Sequence, residues 1–306
     1  MTLPLAVVAL GGNAISPPRG GLSLAGERAA IDGAAAELAA IARNGARLLI
    51  VHGNGPQVGR LLAAPGIGDP ESLDVHVAQT QGELGYLLAE ALDAQLGREA
   101  SVALVTRVLV DAADPAFANP TKPVGAVLSS PPAGVPSMRT PDGAGWRRVV
   151  ASPRPLAVIE RAAIGTLLAD RHVVAGGGGG VVLAGAVRSR RPRPAVVDKD
   201  WIAALLAVAF DAAHLVFVTD VSHAFDHFGG AAERAIRSMR AREARDRLAG
   251  GMFAPGSMAP KIESAVQFVE ATDRPAVIAK LGSVSAALSG DAGTLIEPAE
   301  APATTS

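Results

Sequence analysis

LAVVALGGNA at residues 5–14 and RLLIVHGNGPQ at residues 47–57 share one pattern: a short, unbroken apolar run that stops in a glycine turn. An apolar run without polar alternation reads as a strand buried on both faces. Residues 26–44, between the two, place alanine and leucine at helical spacing. Strand, helix, strand is a βαβ unit, and its crossover makes the two strands parallel. The rhythm continues. Apolar runs recur at 102–110, 173–175, 195–197, 215–218 and 276–279, and helix-like stretches at 75–96, 156–168, 201–210, 231–248 and 264–270. The pattern predicts an α/β fold with a mostly parallel sheet and helices on both faces.

Residues 114–155 break the rhythm, with many prolines and glycines and few apolar runs. The segment is too long for an ordinary loop in a compact domain, so a small projecting subdomain or lid is expected there. The expected organisation is a single domain over 1–296, with lobes near 1–168 and 169–296, and a disordered tail at 297–306. Of 306 residues 49% are apolar, enough for a large core, and the net charge of −1 favours no nucleic-acid partner. The basic run at 188–193 lies between apolar segments and reads as a solvated hairpin loop. The absence of cysteine excludes thiol nucleophiles, thiolate metal sites and disulfides. No cationic leader precedes the first apolar run, and the run at 173–187 is too short and glycine-rich to span a membrane. A cytoplasmic protein is expected.

In an open parallel sheet, ligands bind beyond the carboxyl ends of the strands. Here those ends run into Gly11-Gly12-Asn13, Gly53-Asn54-Gly55, Gly176-Gly177 with the glycines that follow, and Thr219-Asp220-Val221. Glycine lets backbone N–H groups approach an anion closely, and a following helix N-terminus adds a favourable dipole. Three glycine-rich turns in one chain point to a ligand with several phosphates. Two common nucleotide signatures are missing. No Gly-Lys pair exists for a Walker-type loop, and Val181 stands where a dinucleotide fingerprint needs Gly or Ala.

Lysine usage sharpens this reading. The chain has four lysines among its 28 basic residues. Lys122 lies in Pro120-Thr121-Lys122-Pro123, Lys199 between Asp198 and Asp200, and Lys261 after Gly256-Ser257-Met258-Ala259-Pro260; only Lys280 simply ends an apolar run. A compact ammonium on a flexible stem can follow a phosphoryl group that moves, which a planar guanidinium does less well. His223 and His227, four apart beside Asp226, have metal-ligand spacing but no evident third ligand, so no metal site is expected. His52 reads as an orienter of the Gly53 turn.

Taken together, VVALGGNAI (7–15), VHGNGPQVG (51–59), AQTQGELGYLL (78–88), DPAFANPTKPVG (114–125), WRRVVASPRP (146–155), VVAGGGGG (173–180), VVDKD (196–200), FVTDV (217–221) and FAPGSMAPK (253–261) resemble the carbamate kinases of the amino-acid kinase family. The segments keep the family's order along nearly the whole chain. The resemblance implies a three-layer α/β/α sandwich with a small projecting lid subdomain. It implies reversible phosphoryl transfer between ATP and carbamate, Mg²⁺ as cofactor, a homodimer, and a place in arginine metabolism. It also implies roles. Gly11, Gly12 and Asn13 would face the transferred phosphoryl, with Gly53, Asn54 and Gly55 on the substrate side. Lys122 would reach in from the lid, while Lys199 and Lys261 flank the phosphates, held by Asp200. Thr219, Asp220 and Val221 would lie by the nucleotide, with Met258 and Pro260 near adenine.

Two stretches depart from the family. Ser222-His223-Ala224-Phe225 replaces an Asp and Tyr that usually follow the Thr-Asp-Val turn, and Ala126-Val127-Leu128-Ser129 lacks the usual lid tyrosine. These departures leave open a related enzyme acting on another small acid, and a nucleotide-binding regulatory homologue with little turnover.

Overall fold

In the computed structural model, residues 3–16, 23–64, 70–140, 143–177, 181–230, 232–254 and 256–299 are described. The first half of the chain forms β1 (Leu5–Leu10), α1 (Leu24–Arg43), β2 (Arg47–His52), α2 (Gly55–Ala63), α3 (Leu73–Leu96), β3 (Ser101–Ala103), β4 (Arg107–Val110), β5 (Lys122–Leu128), β6 (Ser137–Arg139), β7 (Trp146–Val150), β8 (Pro155–Val158) and α4 (Arg161–Leu167). The second half forms β9 (His172–Val174), β10 (Val181–Ala184), β11 (Arg191–Pro192), α5 (Lys199–Ala209), β12 (His214–Thr219), β13 (Ala224–Asp226), β14 (Arg234–Ile236), β15 (Ser238–Arg240), α6 (Ala241–Ala249), α7 (Met258–Thr272), β16 (Ala276–Lys280), α8 (Val284–Leu288) and β17 (Thr294–Glu297).

The main sheet has eight strands in the order β15-β17-β16-β12-β1-β2-β9-β3. Every pairing in it is parallel except β16 with β17. Alternate residues of β1 show why its strands read as continuously apolar. Val7 and Ala9 enter one core with Ile202 of α5 and Ile262 and Phe268 of α7. Ala6, Val8 and Leu10 enter a second core with Ile31 and Leu38 of α1 and Leu84 and Leu88 of α3. Each side chain is lost to water on its own face, so neither parity of the strand can be polar. The result is the three-layer α/β/α sandwich, with about 1.5–3 kcal/mol contributed by each fully buried large apolar side chain.

Helix ends are set locally. Ser23 caps α1, its hydroxyl accepting from the Gly26 N–H at 3.2 Å. Glycine in the left-handed region stops α3 at Gly97, φ 69°. Within the segment 114–155, where the projecting subdomain is expected, β5, β7 and β6 form a separate antiparallel sheet in the order β5-β7-β6. A third sheet, β11-β10-β4-β8, brackets this unit in sequence, with β4 before it and β8 after it, and the basic run 188–193 spans the end of its β10–β11 loop and β11 itself.

Several local expectations needed correction. The run 102–110 is two strands in two sheets, split at 104–106. Residues 156–168 begin as β8 because Val158 and Ala157 pair with β4; only then does α4 start. Residues 195–197 make a single bridge, Ala151 to Ala195, instead of a strand. The helical spacing at 231–248 is overridden up to residue 240: Arg234–Ile236 pairs with β13, and Ser238–Arg240 joins the edge of the main sheet beside β17. Long-range pairing outweighed local propensity there. Glu297, the first residue of the expected tail, is instead the last of β17; residues 300–306 lie outside the described residues.

Candidate active site

Because β1, β2, β9 and β12 run parallel, their carboxyl ends open on one edge of the sheet. The turns after β1 and β2 are tied to their neighbours by backbone bonds, Gly11 N–H to Val218 C=O at 3.1 Å and Gly53 N–H to Leu10 C=O at 3.0 Å. A side chain at Gly11 would place its Cβ 3.0 Å from the Val218 carbonyl oxygen, and one at Gly53 would meet the Gly12 backbone at 3.2 Å. Glycine is therefore needed for two adjacent turns to pack backbone to backbone.

Beyond these turns lies a cleft of about 230 Å³ lined by Gly12, Gly53–Gly55, Lys122, Asp198, Lys199, Asp200, Gly256 and Lys261. Helices α2, α5 and α7 all begin at its wall, so three positive dipole ends converge on it. The three lysines come from distant parts of the chain and meet two aspartates. Asp200 accepts from Lys199 Nζ at 2.8 Å through Oδ1 and from Lys261 Nζ at 3.3 Å through Oδ2. Asp198 accepts from Lys122 Nζ at 2.6 Å through Oδ2. Both carboxylates are buried.

The electrostatics follow from this pairing. Burial lowers the Lys199 pKa, but Asp200 and Asp198 outweigh it and the group ends above its ordinary value, firmly charged. Burial and the charge of Lys199 win at Lys261, which shifts down. Burial raises Asp198, yet Lys122 and Lys199 hold it well below the ordinary carboxylate range.

A second hollow of about 160 Å³ is lined by Thr219, Asp220, Val221, Phe225, Phe228, Met252, Phe253, Ser257 and Met258. Residues 256–261 join the two hollows: Gly256 and Lys261 face the lysine cleft, and Ser257 and Met258 the aromatic one. The sequence departure at Phe225 falls here, and Phe225 and Phe228 pack ring to ring at 5.9 Å between centroids. An aromatic wall is thus present by other means.

Two expectations changed. Pro260 faces a different groove, between α6 and α7 with Arg245 and Glu263, because helical rotation turns it away from Met258. Gly176 and Gly177 do not line the cleft; they pack behind it. Gly176, φ 75°, lies under Ile202, and a Cβ on Gly177 would come 2.3 Å from His52 Nε2. Gly178–Gly180 of that run lie outside the described residues. Of Asn13 only the backbone is described, in the 3₁₀ turn Gly12–Ala14. His52 is buried with Nδ1 3.2 Å from the Gly53 carbonyl; burial pushes its pKa down to about 4, so a neutral ring braces the turn.

Sequence reasoning also missed supporting residues. Asn54 donates from Nδ2 to Thr80 Oγ1 at 2.7 Å, and Gln81 brackets Thr106, whose hydroxyl accepts from Gly176 N–H at 3.0 Å. Thr80 and Gln81 sit on the buried side of α3, in the AQTQ stretch, where two adjacent polar residues on an apolar helix face were the available signal. Asp198 was legible only as a flank of Lys199.

This geometry defines a class of protein: a sheet-edge site where glycine turns, helix N-termini and lysines gather beside an apolar hollow suits transfer of a phosphoryl group from a nucleotide. The chain belongs to the amino acid kinase family, whose model matches residues 4–280. Its place within that family is with the carbamate kinases. It is 40% identical to the carbamate kinase of Escherichia coli K12 over 95% of this chain and 98% of that one. It is 39% identical to carbamate kinase 1 of Enterococcus faecium, again over 95% and 98% of the two chains. The solved structure of Giardia lamblia carbamate kinase bound to AMP-PNP superposes with a TM-score of 0.87 at 33% identity, covering 97% of this chain and 99% of that one.

Proposed function

We infer that this chain is a carbamate kinase, moving a phosphoryl group reversibly between ATP and carbamate to interconvert carbamate and carbamoyl phosphate. The observation that carries this is the cluster of Lys122, Lys199 and Lys261 on Asp198 and Asp200, at the mouth of two glycine turns. Carbamate is already an anion, so no base is needed to create the nucleophile. The difficulty is bringing an anion to a polyanion, and catalysis is then positioning and charge stabilisation.

We assign the roles as follows. Gly11–Asn13 face the transferred phosphoryl, and Gly53–Gly55 receive the carbamate side. Lys122 meets the acid from the base of the lid. Lys199 and Lys261 flank the transferred phosphoryl, and Asp200 fixes both ammoniums without acting as a base. Thr219–Val221, Met258, Phe225 and Phe228 hold the nucleoside, and the α7 N-terminus faces its phosphates. Among the described residues no group of three His, Asp or Glu gathers to hold a metal, and Asp198 and Asp200 already bind lysines. Mg²⁺ would be carried on the nucleotide's phosphate oxygens and water, where it would neutralise charge. Within the described residues no helix is long and apolar enough to cross a membrane, which fits the cytoplasmic location we propose. A homodimer is proposed on the likeness to the carbamate kinases alone.

The test is ATP formation from ADP, Mg²⁺ and carbamoyl phosphate. Turnover with carbamoyl phosphate is expected to exceed that with acetyl phosphate, and nucleotide binding without any turnover would overturn the assignment.

A further inference from the structure

Asp198 uses both carboxylate oxygens. Oδ1 accepts from the Asp200 N–H at 3.1 Å, which caps α5, and Oδ2 accepts from Lys122 Nζ at 2.6 Å. Capping alone does not need a carboxylate, since Ser or Asn serves as well. The helix dipole favours an anion there only weakly, and Asp198 is 6% exposed, where an unpaired charge is costly. The second oxygen is accounted for by Lys122. That lysine is the first residue of β5, at the root of the projecting unit, between Pro120 and Pro123. Its backbone is stiff but its side chain has four rotatable bonds, so an anchor on the cleft floor decides where the ammonium sits.

We propose that Asp198 is a positioning residue that aims Lys122 into the cleft and holds it in register with Lys199 and Lys261, a role that rests on the carbamate kinase reading. Two residues apart, at the N-cap and in the first turn of α5, Asp198 and Asp200 fix all three ammoniums against one rigid element. An ammonium has three N–H donors. Asp198 takes one from Lys122 and leaves two for the incoming acid. The set carries three positive and two negative charges, so it stays charged without substrate and still attracts an anion. The same clasp joins the projecting unit to α5, beside the Ala151–Ala195 bridge.

The experiment is a double-mutant cycle on the full chain. Asp198→Asn keeps the capping oxygen and removes the charge. Its kcat/KM for carbamoyl phosphate is expected to fall roughly 10- to 100-fold, the scale of a reacting group misplaced by about an ångström, while the KM for ADP stays within about twofold. In a Lys122→Met background the same change is expected to cost nothing further. Losses that multiply in the double variant would overturn the proposal, because Asp198 would then act through Lys199 or through α5. A second readout does not depend on turnover: acylation of lysines mapped by mass spectrometry. Asp198→Asn is expected to raise the Lys122 rate roughly fivefold or more, the change for a freed charge pair worth about 1 kcal/mol, and to leave Lys280 unchanged. Equal Lys122 rates in the two proteins would also overturn it. If the unmodified chain makes no ATP but Lys122 is unmasked as described, the clasp stands and the carbamate kinase reading fails.

Discussion

Replacing Asp200 by Asn changes almost no volume and removes one charge from a place where two lysines depend on it. The carboxylate is 1% exposed and is shared by Lys199 at 2.8 Å and Lys261 at 3.3 Å. An amide can accept from one ammonium but cannot neutralise either. Removing one partner of a buried ion pair costs about 3–5 kcal/mol, because the other charge is left uncompensated. Burial and Lys199 shift the Lys261 pKa down and Asp200 opposes that shift, so losing the carboxylate falls on this ammonium as well. At roughly 2–4 °C per kcal/mol for a domain of this size, the melting temperature should fall by about 6–20 °C. Turnover should fall by about 10²–10³, the effect of losing one preorganised charge at the transition state. The assays are thermal melts followed by tryptophan fluorescence, and ADP phosphorylation by carbamoyl phosphate at saturating substrate. A variant melting within about 2 °C of the parent and retaining more than a tenth of its kcat would refute the view that Asp200 organises the lysines.

Gly177→Ala places a methyl 2.3 Å from the His52 ring, so His52 and the Gly53 turn must shift; a loss of about 1–3 kcal/mol and a higher KM for carbamoyl phosphate are expected, and an unchanged melt would contradict the packing. His52 and His172 are buried, and burial holds both near pKa 4, below the ordinary 6.5. The unfolded chain therefore takes up protons first as pH drops. Stability should be full above pH 6.5 and fall by up to about 1.4 kcal/mol per pH unit for each histidine down to pH 4; a denaturation midpoint that stays constant from pH 7 to 5 rules this out. Phe225→Ala should raise the KM for ADP roughly tenfold, given about 1–3 kcal/mol for a base against an aromatic ring, with little effect on carbamoyl phosphate; the reverse pattern would move the nucleoside elsewhere. Lys280→Ala, exposed at the end of β16, should change stability by less than about 0.5 kcal/mol and leave turnover intact, which separates it from the other three lysines in the same assays.

Much of this molecule was written in its sequence because the deciding forces are local. An apolar run that ends in glycine marks a strand buried on two faces and the loop that leaves it. That reading located β1, β2 and β12, and their common open edge. Lysine scarcity singled out Lys122, Lys199 and Lys261, and the fold gathers all three at one cleft. Tertiary structure alone decided which groups meet. Lys122 and Asp198 are 76 residues apart, and Lys261 and Asp200 are 61 apart. Nothing in either neighbourhood encodes that separation in space. The strand at 238–240 and the early strand in 156–168 formed because a partner edge was available, against their local helical spacing. Pro260 turned from the nucleotide to another groove by the rotation of one helix, which its motif does not carry. Sequence named the charged groups; the fold, by closing long loops around α5, determined which aspartate holds which lysine.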